Sequence, residues 1–505
     1  MSRPCMIRRC ATGMSVVAAA VLASGSCARA PVQPAAAPAA SAPRPVASAS
    51  RSNAPTNDGP PATVARAVNL PAINHSALPN GLSVWHIPSR SLPVVQLRLV
   101  VKAGSSLDRD RPGLARMTAA AMARSSSAPG LGASAAAPPV LVPEFQVVPA
   151  ATMFALELPK DHFEEGVDRL GSIARQPKLD NAPLADLRAR EQQWASDLLR
   201  DDPASVARAA ALRDLLGLSA PPTTLDLGKI TVGDLKAFHK AAYAPSNLGL
   251  IVVGDVTFDE AEQAARRALG SWDAAPVAPQ APAPPAAVQY TRVIIADRPA
   301  VADSVIVIAL PGPAPADALR PAFWLAQQHA VQSQATGTSC PPPAAASLLS
   351  LDAAGPVPMS VCVTSPTAQT AERIAATIER VRRTAAETLS AAELEASRAS
   401  FNETFATRLP SLPALADLAG FAMGAGLQHD QLGRLASQVQ STTADQVREA
   451  MRDRAREGML VVVIGDAAKL GEELSRFGDV TVVDPSEGFA RKRQIPASPS
   501  APSKP

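Results

Sequence analysis

The sequence of 505 residues repeats its pattern at a nearly constant offset of about 210 residues. Gly254 and Gly465 each end an apolar run that leads into Asp, and they lie 211 residues apart. Leu187 and Leu394 follow similar helix-start signals and lie 207 residues apart. The strand-like stretch 94–101 has a counterpart at 304–310. An offset that holds across three elements indicates a duplicated domain.

Each half mixes strand and helix patterns. Apolar and polar residues alternate along 94–101, as in a half-buried strand, whereas 250–253 and 460–464 are continuous apolar runs that are typical of buried strands. Apolar residues recur on one helical face along 259–269 and 370–384. Strands grouped with helices over one face predict an α+β fold that occurs twice.

Composition divides the chain into segments. The stretch 274–287 is Pro or Ala at 12 of 14 positions, so we predict a linker between domains at 66–273 and 288–485. Residues 31–65 contain 8 Pro, 11 Ala and 4 Ser and no Leu, Ile or aromatic residue, which predicts a disordered tether. The short polar segment 486–505 is predicted to be a disordered tail.

The N-terminal residues 1–30 have the pattern of an export signal. A basic stretch precedes the apolar run 11–23, which is too short to span a bilayer. The sequence S-G-S-C at 24–27 resembles a bacterial lipoprotein box, so lipidation of Cys27 and simple cleavage near Ala30 are both open, as is an uncleaved N-terminus. Export predicts a location in the periplasm or cell envelope of a bacterium, with a membrane anchor if Cys27 is lipidated.

Net charge and aromatic content weigh against nucleic acid as a partner. The formal charge of +3 comes from the two ends of the chain, and the body at 66–485 carries −5. Aromatic residues make up only 3% of the chain, whereas single-strand binding grooves need aromatic stacking platforms. We therefore expect no nucleic-acid partner.

Two cysteines remain in the body once the signal segment is set aside. In an oxidising compartment Cys340 and Cys362 could form a disulfide that closes a loop of about twenty residues. Two unpaired buried thiols are the alternative.

A series of short motifs runs in order through both halves. The motifs are L-P-N-G-L-S-V at 78–84, L-P-V-V at 92–95, A-G-S-S at 103–106, P-G-L-A at 112–115, D-D-P-A at 201–204, Y-A-P-S-N at 243–247, V-G-D at 253–255 and V-V-V-I-G-D at 461–466. In order and spacing they resemble the insulinase/pitrilysin family of zinc peptidases over residues 70–485. The resemblance implies two homologous domains, each a mostly antiparallel sheet with helices packed on one face.

The chemistry of that family depends on an inverted zinc motif, H-x-x-E-H, on the helix after the P-G-L-A turn. Two imidazoles and a later carboxylate bind Zn²⁺, and the Glu activates the metal-bound water. In this sequence Arg116 and Ala120 stand at the histidine positions and Ala119 at the general base, while Asp197 lies near the third-ligand position. Guanidinium and methyl groups cannot ligate zinc, so we expect no cofactor. Asp197 is predicted to be a solvated helix residue.

No other catalytic pattern replaces the lost motif. The six histidines include no pair three or four residues apart, and His162 with Glu165 predicts a surface helix pair rather than a metal site. The G-x-S-x-G and G-x-x-x-x-G-K-[ST] motifs are absent. The stretch 331–366 also lacks the Arg and Tyr with which zinc-free subunits of the family bind a substrate backbone. The Ser/Ala/Pro/Gly-rich stretch 125–143 replaces the family's substrate-pairing edge strand.

These observations favour an exported, non-catalytic homologue that acts as the partner or scaffold subunit of an active zinc peptidase of the same family, in a hetero-oligomer. The alternative is a stand-alone binding or scaffold protein of the cell envelope. Residual peptide hydrolysis through an unforeseen site is the third hypothesis.

Overall fold

Two β-sheets, one in each half of the sequence, organise the described part of the chain. The computed structural model describes residues 71–125, 142–218, 224–273, 288, 290–313, 317–332, 338–340, 358–408, 411–454 and 458–498. The predicted signal segment with Cys27, the tether at 31–65 and the linker at 274–287 lie outside these residues. None of the helices in the described ranges combines the length and apolar character that a bilayer crossing requires.

The first half forms a six-stranded sheet, which we call sheet 1. Its strands are β1 (Asn74–Ala77), β2 (Ser83–Pro88), β3 (Val94–Val101), β4 (Glu144–Val147), β5 (Thr152–Pro159) and β6 (Leu248–Gly254). Its helices are α1 (Leu114–Ser125), α2 (Phe163–Arg175), α3 (Leu184–Asp201), α4 (Pro203–Leu216), α5 (Thr224–Lys229), α6 (Val232–Ala242) and α7 (Phe258–Leu269). The strand order is β1-β2-β6-β3-β5-β4, and all neighbours are antiparallel except the parallel pair β2 and β6.

The second half forms a seven-stranded sheet, sheet 2. Its strands are β7 (Arg292–Asp297), β8 (Asp303–Leu310), β9 (Thr338–Ser339), β10 (Met359–Pro366), β11 (Leu460–Gly465), β12 (Asp479–Asp484) and β13 (Ala490–Ile495). Its helices are α8 (Arg320–Gln332), α9 (Thr370–Ala386), α10 (Ala391–Arg408), α11 (Leu412–Gly424), α12 (His429–Ser441), α13 (Ala444–Arg452) and α14 (Ala467–Leu474). The order is β13-β12-β7-β11-β8-β10-β9, with β7 parallel to both β11 and β12.

The duplication predicted from the sequence is visible in the topology. β3 lies between β6 and β5, and β8 lies between β11 and β10, in both cases with antiparallel neighbours. Even the helix caps correspond, because Thr231 and Thr443 each close a capping box at the start of α6 and α13. The α+β class and the mostly antiparallel sheets are confirmed.

The helices on one face of sheet 1 enclose its main hydrophobic core. Alternate residues of β3 point into this core, including Val95, Leu97 and Leu99, and meet buried residues of α1, α2 and α7. β6 is buried along its whole length, which explains its continuous apolar sequence. This core lies directly under α1, the helix that carries the degenerate zinc motif.

The second face of each sheet is covered by a helix from the other half. Helix α4 of the first half packs against β8 and β11 of sheet 2, where its small residues Ala207, Ala210 and Ala211 are buried. Helix α11 of the second half packs against β3 and β6 of sheet 1. Arg98 of β3 donates from Nε to Asp417 of α11 at 2.7 Å. Each sheet thus has helices of its own half on one face, as predicted, and in addition one helix of the other half on its second face.

The C-terminal part of the chain differs from the predicted tail. Residues 490–495 form strand β13, which pairs antiparallel with β12 and is an edge of sheet 2. Only one of its six residues, Ile495, is buried. The strand therefore has little hydrophobic pattern, and its sequence resembles that of a polar tail. The predicted start of the disordered tail at residue 486 is wrong, since folded structure continues to residue 498.

Candidate functional site

The helix that carries the degenerate motif begins at a buried cap. The carboxylate of Asp108 accepts hydrogen bonds from the backbone N–H groups of Gly113 and Ala115, each at 2.8 Å, at the start of α1. Gly113 adopts a φ of 88°, a left-handed conformation that suits glycine in this turn. Burial raises the pKa of Asp108 to about 7, although the two N–H donors act in the opposite direction. This cap fixes the direction in which α1 enters the site.

Arg116 is the third residue of α1 and points toward α3. Its Nε donates to Glu191 on α3 in a close ion pair. Its guanidinium carbon also lies 3.6 Å from the ring centroid of Trp194 and 5.2 Å from that of Phe145 on β4. The two charged side chains are 21% and 9% exposed, so the pair is largely shielded from water. An ion pair with aromatic cover thus joins α1, α3 and β4.

The other two motif positions belong to the hydrophobic core. Ala119 and Ala120 are both buried, and both pack in the core of sheet 1 with Met117 and Met122. Their methyl groups offer neither a ligand nor a base. A residue that could activate water is therefore missing at the position of the family's Glu.

Asp197 lies on α3 but faces away from Arg116. It pairs with Arg200 at 2.8 Å, accepts from Gln193 at 2.8 Å, and its side chain is 38% exposed. Six residues separate it from Glu191, and six residues turn a helix by about 240°, which places the two carboxylates on different faces. The structure brings Glu191, rather than Asp197, to the degenerate motif.

The residues present do not fit a zinc ion. Glu191 contacts a motif position, but its charge is already neutralised by the guanidinium of Arg116, which cannot ligate a metal. Across the ranges that the structure describes, no three His, Cys, Asp or Glu side chains are grouped as metal ligands. No catalytic step through a metal can be derived for this arrangement.

Sequence reasoning missed Glu191, Trp194 and Phe145. Leu187 and Glu191 are spaced by four residues and are the buried residues of α3, so a helical projection identifies the face that meets α1. The contact of Phe145 with Arg116 has no comparable signal in the sequence, because Phe145 belongs to a short strand that follows the stretch 126–141.

The remaining predicted residues lie away from this site. His162 and Glu165 form an exposed pair on the surface, with Nδ1 and Oε2 at 3.3 Å. Cys340 and Cys362 are joined by a disulfide between β10 and the residue after β9, and both are buried. The inner parts of the stretches 125–143 and 331–366, from which weakened substrate binding was predicted, lie largely outside the described residues. What is described of the first stretch is Ser125, the last residue of α1, and residues 142–143 before β4.

Comparison with known proteins supports the fold and one segment of sequence. Residues 229–332 match the family model for the peptidase M16 inactive domain. No curated protein matches the chain by sequence.

Three solved structures resemble the chain over most of its length. The peptidase M16 inactive domain from Pseudomonas fluorescens has a TM-score of 0.63 and 19% identity, covering 78% of this chain and 98% of that one. A chain of complex III2 from Candida albicans has a TM-score of 0.62 and 16% identity, covering 79% and 97%. The periplasmic protease PqqL from Escherichia coli has a TM-score of 0.58 and 15% identity, covering 86% of this chain but 52% of its own. The chain therefore has the fold of these M16-like structures, and its residues 229–332 match the family's inactive domain, in agreement with the resemblance seen in the sequence.

Proposed function

We propose that this protein is a non-catalytic M16-like subunit, exported to the bacterial envelope, that acts as the partner or scaffold of an active zinc peptidase of the same fold. The observation that carries the proposal is the ion pair between Arg116 and Glu191 in place of a metal-binding constellation. A protein that keeps the whole double-domain fold without hydrolytic residues retains surfaces for assembly rather than chemistry.

The chemistry of the site supports the absence of zinc hydrolysis. Peptide cleavage by this route needs a metal-bound water, a base to deprotonate it and ligands that leave one coordination position open. Arg116 supplies a permanent positive charge where a neutral imidazole is needed, and Ala119 supplies no base. The proposal therefore includes the absence of a resident zinc ion.

The sizes of structures with this fold support a partner. The match with PqqL spans 86% of this chain but only 52% of PqqL, so PqqL contains about as much chain again beyond the matched part. The matched chain of complex III2 aligns over 97% of its own length with 79% of this chain, and it comes from a complex. A single double domain that associates with a second one from another chain would give an arrangement of comparable size.

Metal analysis with a peptide-library assay tests the non-catalytic part. The full chain, purified without chelator, is compared with an H-x-x-E-H-bearing M16 peptidase prepared in parallel as the active control. We expect no stoichiometric zinc in our protein and no chelator-sensitive cleavage. Stoichiometric zinc together with cleavage that a chelator abolishes would overturn this part.

Native co-purification tests the partner. The tagged full chain is recovered from envelope fractions of its source bacterium after mild crosslinking, and the bound proteins are identified by mass spectrometry. We expect a peptidase of the same fold that carries an intact H-x-x-E-H motif. Recovery of the protein alone would refute the partner role, and recovery with an unrelated envelope protein would support a stand-alone scaffold instead. Recovery from the cytoplasmic fraction alone would refute export.

A further inference from the structure

Two histidines that are far apart in sequence are stacked against each other. The rings of His75 on β1 and His429 at the start of α12 have centroids 4.6 Å apart and an interplanar angle of 10°. Trp85 of β2 approaches the ring of His429 edge-on at 6.4 Å. His75 belongs to the first half and His429 to the second, so the stack is a direct contact between halves.

The stack lies where the first strand meets the shared core. β1 is the outer strand of sheet 1, and its described pairing is with β2 alone. Ile73 and Leu427, which lie just before the two histidines in sequence, both pack against the core that extends over sheet 2 and the outer face of sheet 1. The contact with His429 therefore adds a second attachment to a strand of only four residues.

In the part of the chain that the structure describes, the surroundings of the stack offer no acceptor for an N–H group at Nδ1 of His429. Nδ1 of His429 is buried and has no hydrogen-bond partner within the described ranges. An unprotonated ring nitrogen tolerates this position, whereas a buried N–H without an acceptor loses its interaction with water. Two protonated imidazoles at this separation would also repel each other.

The charged groups nearby leave this balance unchanged. Asp430 follows His429 on α12 but is engaged by Arg434 at 2.8 Å. On β2, His86 is held by two contacts, with Asn74 Nδ2 at 3.2 Å from its Nδ1 and Val256 O at 3.0 Å from its Nε2. A metal ion is not the natural occupant, because the lone pairs of two nearly parallel rings lie in separate planes and cannot converge on one ion.

We propose that the His75–His429 stack is an acid-sensitive contact that holds β1, and with it the point where the N-terminal segment joins the folded body, to the second half of the protein. At neutral pH the two rings are stacked. Acidification places a positive charge in the stack at His75, the stack separates and β1 becomes free to leave the edge of sheet 1.

The direction of the titration agrees with this geometry. Partial burial of the His75 ring and the nearby His429 lower the pKa of His75 below its ordinary value of 6.5. Because the folded protein then binds a proton less tightly than the unfolded chain, the contact is fully stabilising above about pH 6.5 and weakens as the pH falls below it.

Hydrogen exchange on the full chain tests the proposal. Amide protection in peptides covering residues 74–77 is measured at about pH 7.5 and about pH 5.5 and corrected for the intrinsic pH dependence of exchange. We expect protection of β1 in the wild type to fall several-fold at the lower pH, while peptides of β6 stay protected. H75Q and H429Q should show low protection of β1 at both pH values, and H162Q should behave as the wild type.

Two results would overturn the proposal. The first is wild-type protection of β1 that does not change with pH. The second is a fall with pH that persists unchanged in H75Q and H429Q, since that would assign the effect to His86. H75Q changes an exposed side chain, so the variant is expected to fold and the comparison does not depend on a damaged core.

Discussion

Arg116 on α1 and Glu191 on α3 form an ion pair between the helix of the degenerate zinc motif and a helix of 18 residues. The pair is largely shielded, and Trp194 lies on the guanidinium. The two charges therefore depend on each other, because neither is well placed to be solvated alone.

Breaking this pair should destabilise the protein. E191Q leaves Arg116 without its counter-charge, and we expect a loss of about 2 kcal/mol in the free energy of unfolding, between the values of exposed and fully buried pairs. A double-mutant cycle of E191Q and R116M in chemical denaturation should give a coupling energy of about 1 kcal/mol or more. D197N is the matched control on the same helix, expected to cost no more than about 0.5 kcal/mol. Equal effects of E191Q and D197N would contradict the distinction between the two carboxylates.

The cap of α1 should make stability depend on pH. Burial raises the pKa of Asp108 from 3.8 to about 7, so the folded state holds this proton more tightly than the unfolded chain. Stability from this group is therefore greatest below about pH 4 and declines as the pH rises through about 7. Asn does not titrate, so the stability advantage of the wild type over D108N should shrink between about pH 5 and about pH 8.

Denaturant unfolding of both proteins at several pH values checks this prediction. Other titrating groups are common to the two proteins and cancel in the difference. An advantage that grows with pH would show that the N–H donors and the helix terminus outweigh burial at this carboxylate.

The disulfide should contribute substantially to the stability of sheet 2. Cys340 and Cys362 are 22 residues apart. A disulfide that closes a loop of that size reduces the entropy of the unfolded chain and thereby stabilises the folded state by about 3 kcal/mol. We expect C340A/C362A to have a lower melting temperature than the wild type. A reductant should lower the melting temperature of the wild type but leave that of C340A/C362A unchanged. Alkylation of the unfolded, unreduced wild type followed by peptide mass spectrometry checks the bond itself, and alkylation of both Cys340 and Cys362 would contradict it.

The close approach of the two halves should not tolerate a larger residue at Gly424, the last residue of α11. A Cβ atom at this position would lie 2.7 Å from Cβ of Ala151, a side chain that cannot move away. We expect G424A to lower the free energy of unfolding by about 1–3 kcal/mol. Gly433 on α12 has open space around it, so G433A should be neutral or stabilising by up to about 1 kcal/mol. Thermal unfolding of the two variants separates packing from helix propensity.

The sequence predicts the parts of the fold that depend on local pattern. β6 and β11 follow from their continuous apolar runs, and the duplication follows from the matching of such runs along the chain. β13 does not, because its residues are nearly all exposed and carry no apolar pattern. The sequence also shows the loss of the zinc ligands directly, at Arg116 and Ala120.

The partners of those residues are not predictable in the same way. Whether Arg116 meets Glu191 depends on the relative rotation of two helices, which packing against the core decides. The stacking of His75 on His429 depends on how the two halves meet. Helix α4 is rich in small apolar residues, and nothing in its pattern tells which of the two sheets it covers.

Because α4 and α11 each pack on the sheet of the other half, the first half cannot complete its packing until the second half has been synthesised. When the first half has emerged, the face of sheet 1 that α11 covers is still bare, and it remains so until residue 424 has been made. During this time the apolar face of sheet 1 that α11 later covers is in contact with water or with a chaperone. The two halves therefore complete their packing only after α11 has been synthesised.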